Sequence, residues 1–368
     1  MALTTSGLRG LRLQNQWIGV PRSGKAAAVV DHLVAVQAQD YSGAKWSLGL
    51  RLKQATDASV EEEFNGGKIL RTHVLRPTWH FVRPADLRWL LMLTGPRVQA
   101  QNAGMYRQAG MGAALLRRSD AILQRALEEN GPMGRDELRT ALTAGRIAMD
   151  HEFRFTYALM HAELEGLICS GPRHGKQFTY ALLDRRAPAT RRLSREEALA
   201  QLAWRYFRSR GPATVHDMAK WSGLTVAECR AGLEAVKARM RRDLLDGKEY
   251  WYAEPAGKRG GERVTAHLLS VFDEYLSSYR GLGLIAREGW NERLRGFGNA
   301  LTGVIEINGE LAGTWSRRAG RQSIQLELRP FKALDRRERD AIERALASYE
   351  KFHGMKIEVM RQKPPELK

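Results

Sequence analysis

The sequence predicts an α+β protein, built from tandem winged helix-turn-helix domains with a C-terminal mixed β/α domain. Two observations lead to this class. Up to residue 255, groups of helical patterns followed by a pair of strand patterns recur, and this is the element order of a winged helix. After residue 262, alternating apolar residues around an Asn-Gly turn replace that order with strands.

The N-terminal unit is predicted to span residues 9–94. Apolar residues at helical spacing, capping residues and a run of β-branched and aromatic residues define its elements. In order, these are a helix over 23–38 capped by Ser23, a helix over 43–53 capped by Ser42, a short helix opening at Ser59, a strand–turn–strand over 69–82 around Arg76-Pro77, and a helix from Pro84 to Leu93.

Two further units, 119–184 and 194–255, repeat the same order. The first has helices over 119–130 (capped by Ser119), 134–143 and 153–167 and strands over 167–171 and 177–183; the second has helices over 195–209, 214–222 and 226–241 and a wing over 243–254. At an offset of 80 residues, Gly131-Pro132 and Glu137-Leu138 align with Gly211-Pro212 and Asp217-Met218. Such an internal repeat indicates tandem copies of one unit, with coincidental Gly-Pro helix breaks as the alternative.

The C-terminal domain is predicted over residues 262–368. It opens with a mainly apolar stretch, 266–280, and its hairpin over 303–315 turns at Asn308-Gly309. A strand over 323–331 and a charged amphipathic helix over 335–353 complete it.

Charge indicates the partner. The chain of 368 residues has 59 Lys and Arg against 41 Asp and Glu, a net charge of +18. Arginine suits phosphate because its planar guanidinium bonds two oxygens at once. Nucleic acid is therefore the first hypothesis, with an incidentally basic surface or a polyanionic membrane face as alternatives.

Other patterns exclude whole classes of protein. The sequence has no apolar run long enough to span a bilayer and no signal-peptide block, which predicts a cytoplasmic protein. Cys169 and Cys229 are too few and too far apart for a disulfide framework. Zinc-ligand spacing, Gly-x-Ser-x-Gly and phosphate-binding glycine motifs are all missing from the sequence, so we expect neither metal nor cofactor.

Gln37 is the most informative single residue. It continues the apolar stripe of Leu33 and Val34, and a buried amide without partners costs roughly 1–3 kcal/mol, so it needs a partner or a function. In a continuing helix Gln39 would point about 200° away, whereas extended backbone would turn both amides towards one cavity. Alternatively, Gln37 bonds a neighbouring strand and Gln39 is a surface residue.

Histidines and tryptophans permit more than one interpretation. His73 and His80 flank the predicted hairpin turn and can share a face; packing or phosphate binding is the commoner role for such residues, with catalysis as the alternative. Trp46 and Trp79 are either core residues or platforms for bases.

Taken in order, several stretches resemble the AlkZ-type winged-helix DNA glycosylases of the AlkZ/YcaQ superfamily. These stretches are HLVAVQAQD, LRTHVLRPTWHFV, the winged repeats, LLSVFDEYLSSYR and the hairpin ending in GTW, together covering roughly residues 9–360. The resemblance implies tandem winged helices around a concave DNA-binding face, excision of alkylated purines and unhooking of interstrand crosslinks. The family signature is Gln-aliphatic-Gln in this branch, so Gln37 and Gln39 inherit the catalytic role. Ala38 is smaller than the usual central residue, which affects the expected substrate range.

The resemblance also implies a mechanism. A purine alkylated at N7 or N3 is cationic and its glycosidic bond is already weakened, so the enzyme needs only to position water and stabilise oxocarbenium-like charge. We therefore expect a monofunctional glycosylase without lyase activity. Its expected partner is double-stranded DNA containing alkylated purines, at the nucleoid, with no membrane and no obligate protein partner.

The net charge of +18 and the positions of basic residues on the predicted hairpins give further candidate site residues. The candidate DNA contacts are His73, Arg76, His80, Lys45, Arg317 and Arg318. The candidate supports of the active site are Asp273, Tyr275 and Tyr279. The competing hypothesis is a non-catalytic winged-helix DNA-binding protein such as a transcriptional regulator, which would have no need of the glutamine pair.

Overall fold

A computed structural model describes residues 3–149, 152–254, 263–286, 302–320 and 322–362. Within these ranges, helices pack around four small sheets, and two successive units have the winged-helix order. The predicted α+β class with tandem winged helices is confirmed. In this part of the chain, no helix combines the length and apolar character needed to cross a bilayer.

The N-terminal region surrounds a three-stranded sheet of order β1-β3-β2. Its elements are α1 (Thr5–Asn15), α2 (Ala26–Leu33), β1 (Ala35–Gln37), α3 (Tyr41–Gly49), α4 (Asp57–Asn65), β2 (Leu70–Val74), β3 (Arg76–Val82) and α5 (Pro84–Gln108). Strand β1 is therefore an edge strand, paired antiparallel to β3 with Gln37 opposite His80.

The predicted helix over 23–38 is wrong at both ends. Lys25, not Ser23, is the cap residue of α2. The helix stops at Leu33 because Val34 has a φ of +67°, a left-handed conformation that cannot continue a right-handed helix. The chain then enters β1, so Gln37 lies on a strand.

Other N-terminal boundaries also shift. The cap of α3 is Asp40 rather than Ser42, and the capping box of α4 joins Thr56 and Ser59. The hairpin turns at Leu75, with φ of +65°, so Arg76-Pro77 opens β3. Helix α5 continues to Gln108 because residues beyond Leu93 still bury an inward face.

The two winged units repeat each other in structure. The first has α6 (Ala113–Asn130), β4 (Met133–Gly134), α7 (Arg135–Ala144), α8 (Glu152–Leu164), β5 (Ile168–Ser170), β6 (Thr179–Leu182) and α9 (Leu183–Arg186); the second has α10 (Arg195–Arg210), α11 (Val215–Ser222), α12 (Val226–Glu234), β7 (Arg241–Leu245) and β8 (Lys248–Tyr252). Glu137 and Asp217, 80 residues apart, occupy the same capping-box position of α7 and α11.

Two predictions for these units need correction. Ser119 is not a cap but lies inside α6, where its hydroxyl donates to the carbonyl of Leu115. The predicted helix over 226–241 ends at Glu234, and a short 3-10 turn leads into β7.

The C-terminal region is a five-stranded sheet of order β13-β12-β11-β10-β9 with one long helix. Its elements are β9 (Ala266–Leu269), α13 (Glu274–Ser277), β10 (Gly303–Ile307), β11 (Glu310–Ala319), β12 (Ser323–Pro330), α14 (Arg336–His353) and β13 (Lys356–Arg361). The predicted Asn308-Gly309 turn is confirmed by positive φ at both residues. Strand β13, parallel to β12, was not predicted.

The hydrophobic cores cross the predicted unit boundaries. One cluster joins Val36 and Trp46 of the N-terminal region to Leu268 and Trp315 of the C-terminal sheet and to Tyr349 of α14. A second joins β2, β3 and α5 to α10 and α11. The division at 9–94, 119–184, 194–255 and 262–368 therefore remains a prediction.

Candidate active site

The Gln37-Ala38-Gln39 tripeptide lies at the end of β1, where the hairpin holds its backbone. Ala38 N donates to the carbonyl of Trp79 at 2.7 Å, and Arg71 Nε donates to the carbonyl of Ala38 at 2.9 Å. Trp79 N donates to Gln39 Oε1 at 3.4 Å. These bonds hold the Ala38 backbone on both its N–H and its C=O side. The backbone positions from which the two glutamine side chains extend are therefore fixed.

The glutamines lie in different surroundings. Gln37 is 9% exposed, whereas Gln39 lies on the surface, as one of the two sequence-based interpretations expected. Gln37 Oε1 accepts from Arg76 Nη2 at 3.2 Å, and Gln37 N donates to Glu274 Oε1 at 2.9 Å. The expectation that a buried amide here requires partners is confirmed.

Gln37 opens into a cleft of about 570 Å³, within the usual range for small-molecule sites. Arg76 and Lys220 supply its cationic wall, and Phe272 and Leu276 contribute apolar surface. Gln39 does not line this cleft. The side chains therefore offer a substrate one buried amide oxygen beside three cations, those of Arg76, Lys220 and Arg280.

Behind Gln37 lies a fully buried ion pair between Arg210 and Glu274, both 0% exposed. Arg210 Nη2 donates to Glu274 Oε2 at 2.6 Å. The same oxygen accepts from Trp221 Nε1 at 3.0 Å and from Ser278 Oγ at 2.8 Å. The pair thus satisfies the requirement that buried charges be compensated and hydrogen-bonded.

Electrostatics keeps Glu274 ionised. Burial acts to raise its pKa, but the charge and hydrogen bonds of Arg210, the Gln37 amide and the remaining neighbours outweigh burial and lower the pKa to about 2. Burial also lowers the pKa of Lys220, with a further contribution from the charge of Arg76. A carboxylate therefore persists beneath the motif over the whole physiological range.

Three predicted DNA contacts have no surface to present to DNA. His80 is 0% exposed, and burial followed by the charge of Arg76 lowers its pKa to about 3, so it is neutral. His73 is buried against Glu163, and Lys45 is buried between Asp57 and Glu61. In this conformation burial opposes the assignment of all three as DNA contacts, which stays a prediction.

The other predicted contacts are accessible. Arg76 is half-buried at the cleft, Arg317 donates to Ser42 Oγ at 2.8 Å, and Arg318 is exposed on β11. Only Arg76 also contacts the glutamine motif.

The predicted active-site supports are buried residues in and beside α13. Both oxygens of Asp273 accept from Arg51 at 2.8 Å, and Ser47 and the amide of Tyr275 fill its remaining positions. Tyr275 donates to the carbonyl of Gly309, and Tyr279 donates to the carbonyl of Arg210. Asp273 and Tyr275 do not line the cleft, whereas Tyr279 lines it together with Gln37. The supporting role of these side chains therefore stays a prediction.

Sequence reasoning missed Glu274 and Arg210. Glu274 stands beside Asp273 within a mainly apolar stretch, and an acidic residue in such a stretch is itself a signal of a buried pair. Nothing local marks Arg210, whose partner is 64 residues away.

Glu274 is expected to make stability sensitive to acid. Its folded-state pKa lies below the ordinary 4.5, so its stabilisation is fully present above about pH 4.5 and is lost as the pH falls towards 2. At pH 7, Glu274→Gln should lower the free energy of unfolding by about 3–5 kcal/mol, because Arg210 loses its counter-charge. Denaturant titrations of the wild type and of Glu274→Gln should show the difference in their free energies of unfolding decreasing towards about pH 3. A difference that is constant with pH would contradict an ionised Glu274 of lowered pKa.

A match to a known family gives the class of this protein. The sequence model described as "DNA glycosylase AlkZ-like" matches residues 30–352, and the chain belongs to this AlkZ-like family, whose members hydrolyse N-glycosyl bonds of DNA. The predicted family is thereby confirmed, and it decides against the regulator hypothesis.

Two comparisons agree with this assignment. The interstrand DNA cross-link repair glycosylase of Streptomyces sahachiroi is 24% identical over 368 residues, covering 94% of this chain and 95% of that protein. The solved structure of Streptomyces sahachiroi DNA glycosylase AlkZ has a TM-score of 0.81 at 21% identity, covering 98% of this chain and 100% of the other. The second comparison shows a shared fold.

Proposed function

We propose that this glycosylase excises cationic purines alkylated at N7 or N3 from double-stranded DNA, using water positioned by Gln37 and Gln39. The observation that carries the proposal is the placement of Gln37, whose buried amide oxygen lines a cleft at the end of a braced strand. The printed name of the Streptomyces relative supports extending the substrates to interstrand crosslinks. The DNA concerned would be that of the nucleoid.

The amide chemistry suits such a substrate. A carbonyl oxygen has two lone pairs, so Gln37 Oε1 can accept from a water while bonded to Arg76. As the bond from the purine nitrogen to the sugar C1′ breaks, its electron pair neutralises the cationic base. Water then bonds to C1′ and releases its proton to solvent, so neither a general acid nor a lysine nucleophile is needed.

The cations of the cleft fit the phosphates beside a damaged nucleotide. Arg76 and Lys220 line the cleft together with Gln37, and Arg318 is exposed on β11. Phosphate contacts position a protein on DNA without reading its sequence. This arrangement is appropriate for a repair enzyme that must act at any sequence.

The direct test is to incubate the protein with a duplex containing N7-methylguanine and to measure released base by chromatography. Release that depends on Gln37 supports the proposal. Absence of release from this substrate and from N3-methyladenine would oppose it.

We expect uracil to be left in place. Its departure from the sugar as an anion requires stabilisation that a glutamine amide cannot supply as an acid, whereas the alkylated purine leaves neutral. A matched duplex with uracil at the position of the N7-methylguanine should give no measurable release over the same time. Rapid uracil excision would contradict the cationic-leaving-group mechanism while leaving the family assignment intact.

A further inference from the structure

We propose that Glu274 is a positioning residue for Gln37, with its carboxylate fixing the point from which the glutamine side chain enters the cleft. The inference rests on the proposed catalytic role of Gln37. It concerns a residue that touches the motif only through the Gln37 backbone.

The Arg210–Glu274 ion pair occupies the place that a neighbouring strand would take at the outer edge of β1. Because β1 is an edge strand, the N–H and C=O groups on its outer side lack a neighbouring strand. Residues two apart in a strand present these groups on the same side. Here Arg210 Nη2 donates to the carbonyl of Ala35 at 2.9 Å, and Glu274 Oε1 accepts from the amide of Gln37 at 2.9 Å. The ion pair thus bonds the outer edge of β1 as a strand would.

The carboxylate is oriented independently of the motif. Arg210 comes from α10, Trp221 from α11 and Ser278 from the end of α13, and all three donate to Oε2. Oε1 is left for Gln37. Three elements therefore hold the carboxylate through Oε2, and its other oxygen, Oε1, positions the end of β1.

The position of the Gln37 backbone is expected to affect the rate of base excision more than the affinity for DNA. The Gln37 side chain begins at the residue that Glu274 holds, and a displacement of about 1 Å at a reacting group can lower a rate by about 10²-fold. DNA affinity, in contrast, is expected to depend on cations such as Arg76, Lys220 and Arg318, none of which forms an ion pair with Glu274.

The test is Glu274→Asp. Aspartate keeps the negative charge beside Arg210, and its shorter side chain withdraws the acceptor from Gln37. We expect the single-turnover rate of N7-methylguanine excision to fall by about 10–100-fold, with unchanged duplex affinity and circular dichroism. Glu274→Gln is the harsher second variant, because an amide cannot accept at both ends.

Asp86→Asn is the matched control for Glu274→Gln, because both substitutions replace a buried carboxylate by an amide. Asp86 is also a buried carboxylate that accepts two bonds from an arginine of α10, Arg205, and one from an indole, that of Trp89. It has no contact with the motif, so its variant should excise at nearly the wild-type rate. An equal loss of excision rate in Glu274→Gln and Asp86→Asn would reduce the role of Glu274 to stability and overturn the proposal.

A double variant distinguishes failure of the positioning role of Glu274 from failure of the catalytic role of Gln37. In the Gln37→Ala background, Glu274→Asp should add no further loss, since the positioned side chain is already missing. A multiplied loss would show that Glu274 acts independently of Gln37, and a wild-type rate for Glu274→Asp alone would also overturn the inference. If Gln37→Ala itself retains the wild-type rate, the proposed catalytic role fails instead.

Discussion

Gln37→Ala should lower the single-turnover rate of N7-methylguanine excision by about 10²–10³-fold, the scale for losing one catalytic hydrogen-bonding group. The side chain lines the cleft and supplies a buried amide oxygen there. Its removal takes away that oxygen and leaves the backbone bonds of the motif in place. Gln39→Ala should act in the same direction, and the rates are measured with enzyme in excess over a labelled duplex.

Gln99→Ala is a suitable control for this experiment. Gln99 is a half-buried glutamine on α5 whose amide bonds both Glu165 and Tyr106, so its removal costs comparable hydrogen bonds away from the motif. Its rate should match that of the wild type. An unchanged rate in the Gln37→Ala, Gln39→Ala double variant would move the chemistry to other residues.

Duplex binding should depend steeply on salt. With a net charge of +18 and contact to about six to ten phosphates, affinity should fall by about 10³–10⁵ between about 50 and 200 mM salt, because bound cations are released from the DNA. Fluorescence anisotropy with undamaged duplex across this range measures the slope. An affinity independent of salt would contradict a basic DNA-binding surface.

Single arginines can then be assigned to that surface. Arg318→Ala should reduce the logarithmic slope by about 1, the effect of one lost phosphate contact. Arg361, exposed on the outer strand β13 and paired with Glu343, is the control whose substitution should leave the slope unchanged. Equal effects of the two substitutions would show that the slope reports overall charge alone.

Local patterns predicted most of the fold because repeated capping and turn residues mark helix and strand ends. Asn308-Gly309 and the capping positions Glu137 and Asp217 are of this kind. The boundary at Val34 could not be predicted, because its left-handed backbone occurs in a β-branched residue that ordinarily avoids it. Periodicity alone therefore extended the helix through Gln37.

The site was predictable only where its residues are neighbours in sequence. Gln37 and Gln39 form a recognisable tripeptide, but Glu274 bonds Gln37 across 237 residues, and a single sequence contains no record of that contact. His80 shows the opposite error. A histidine beside a turn suggests exposure, yet its strand is central in the sheet and buries the ring completely.

The core shared by the N-terminal region and the C-terminal sheet limits how this gene can change. The two winged units share one order of elements and so look like exchangeable modules. The strand that carries Gln37, however, is packed by residues of both the N-terminal and the C-terminal regions. A descendant that lost its last hundred residues would keep the tripeptide but lose the surroundings that shape it. The activity therefore requires both the N-terminal region and the C-terminal sheet, and grafting the tripeptide onto another winged helix would not transfer it.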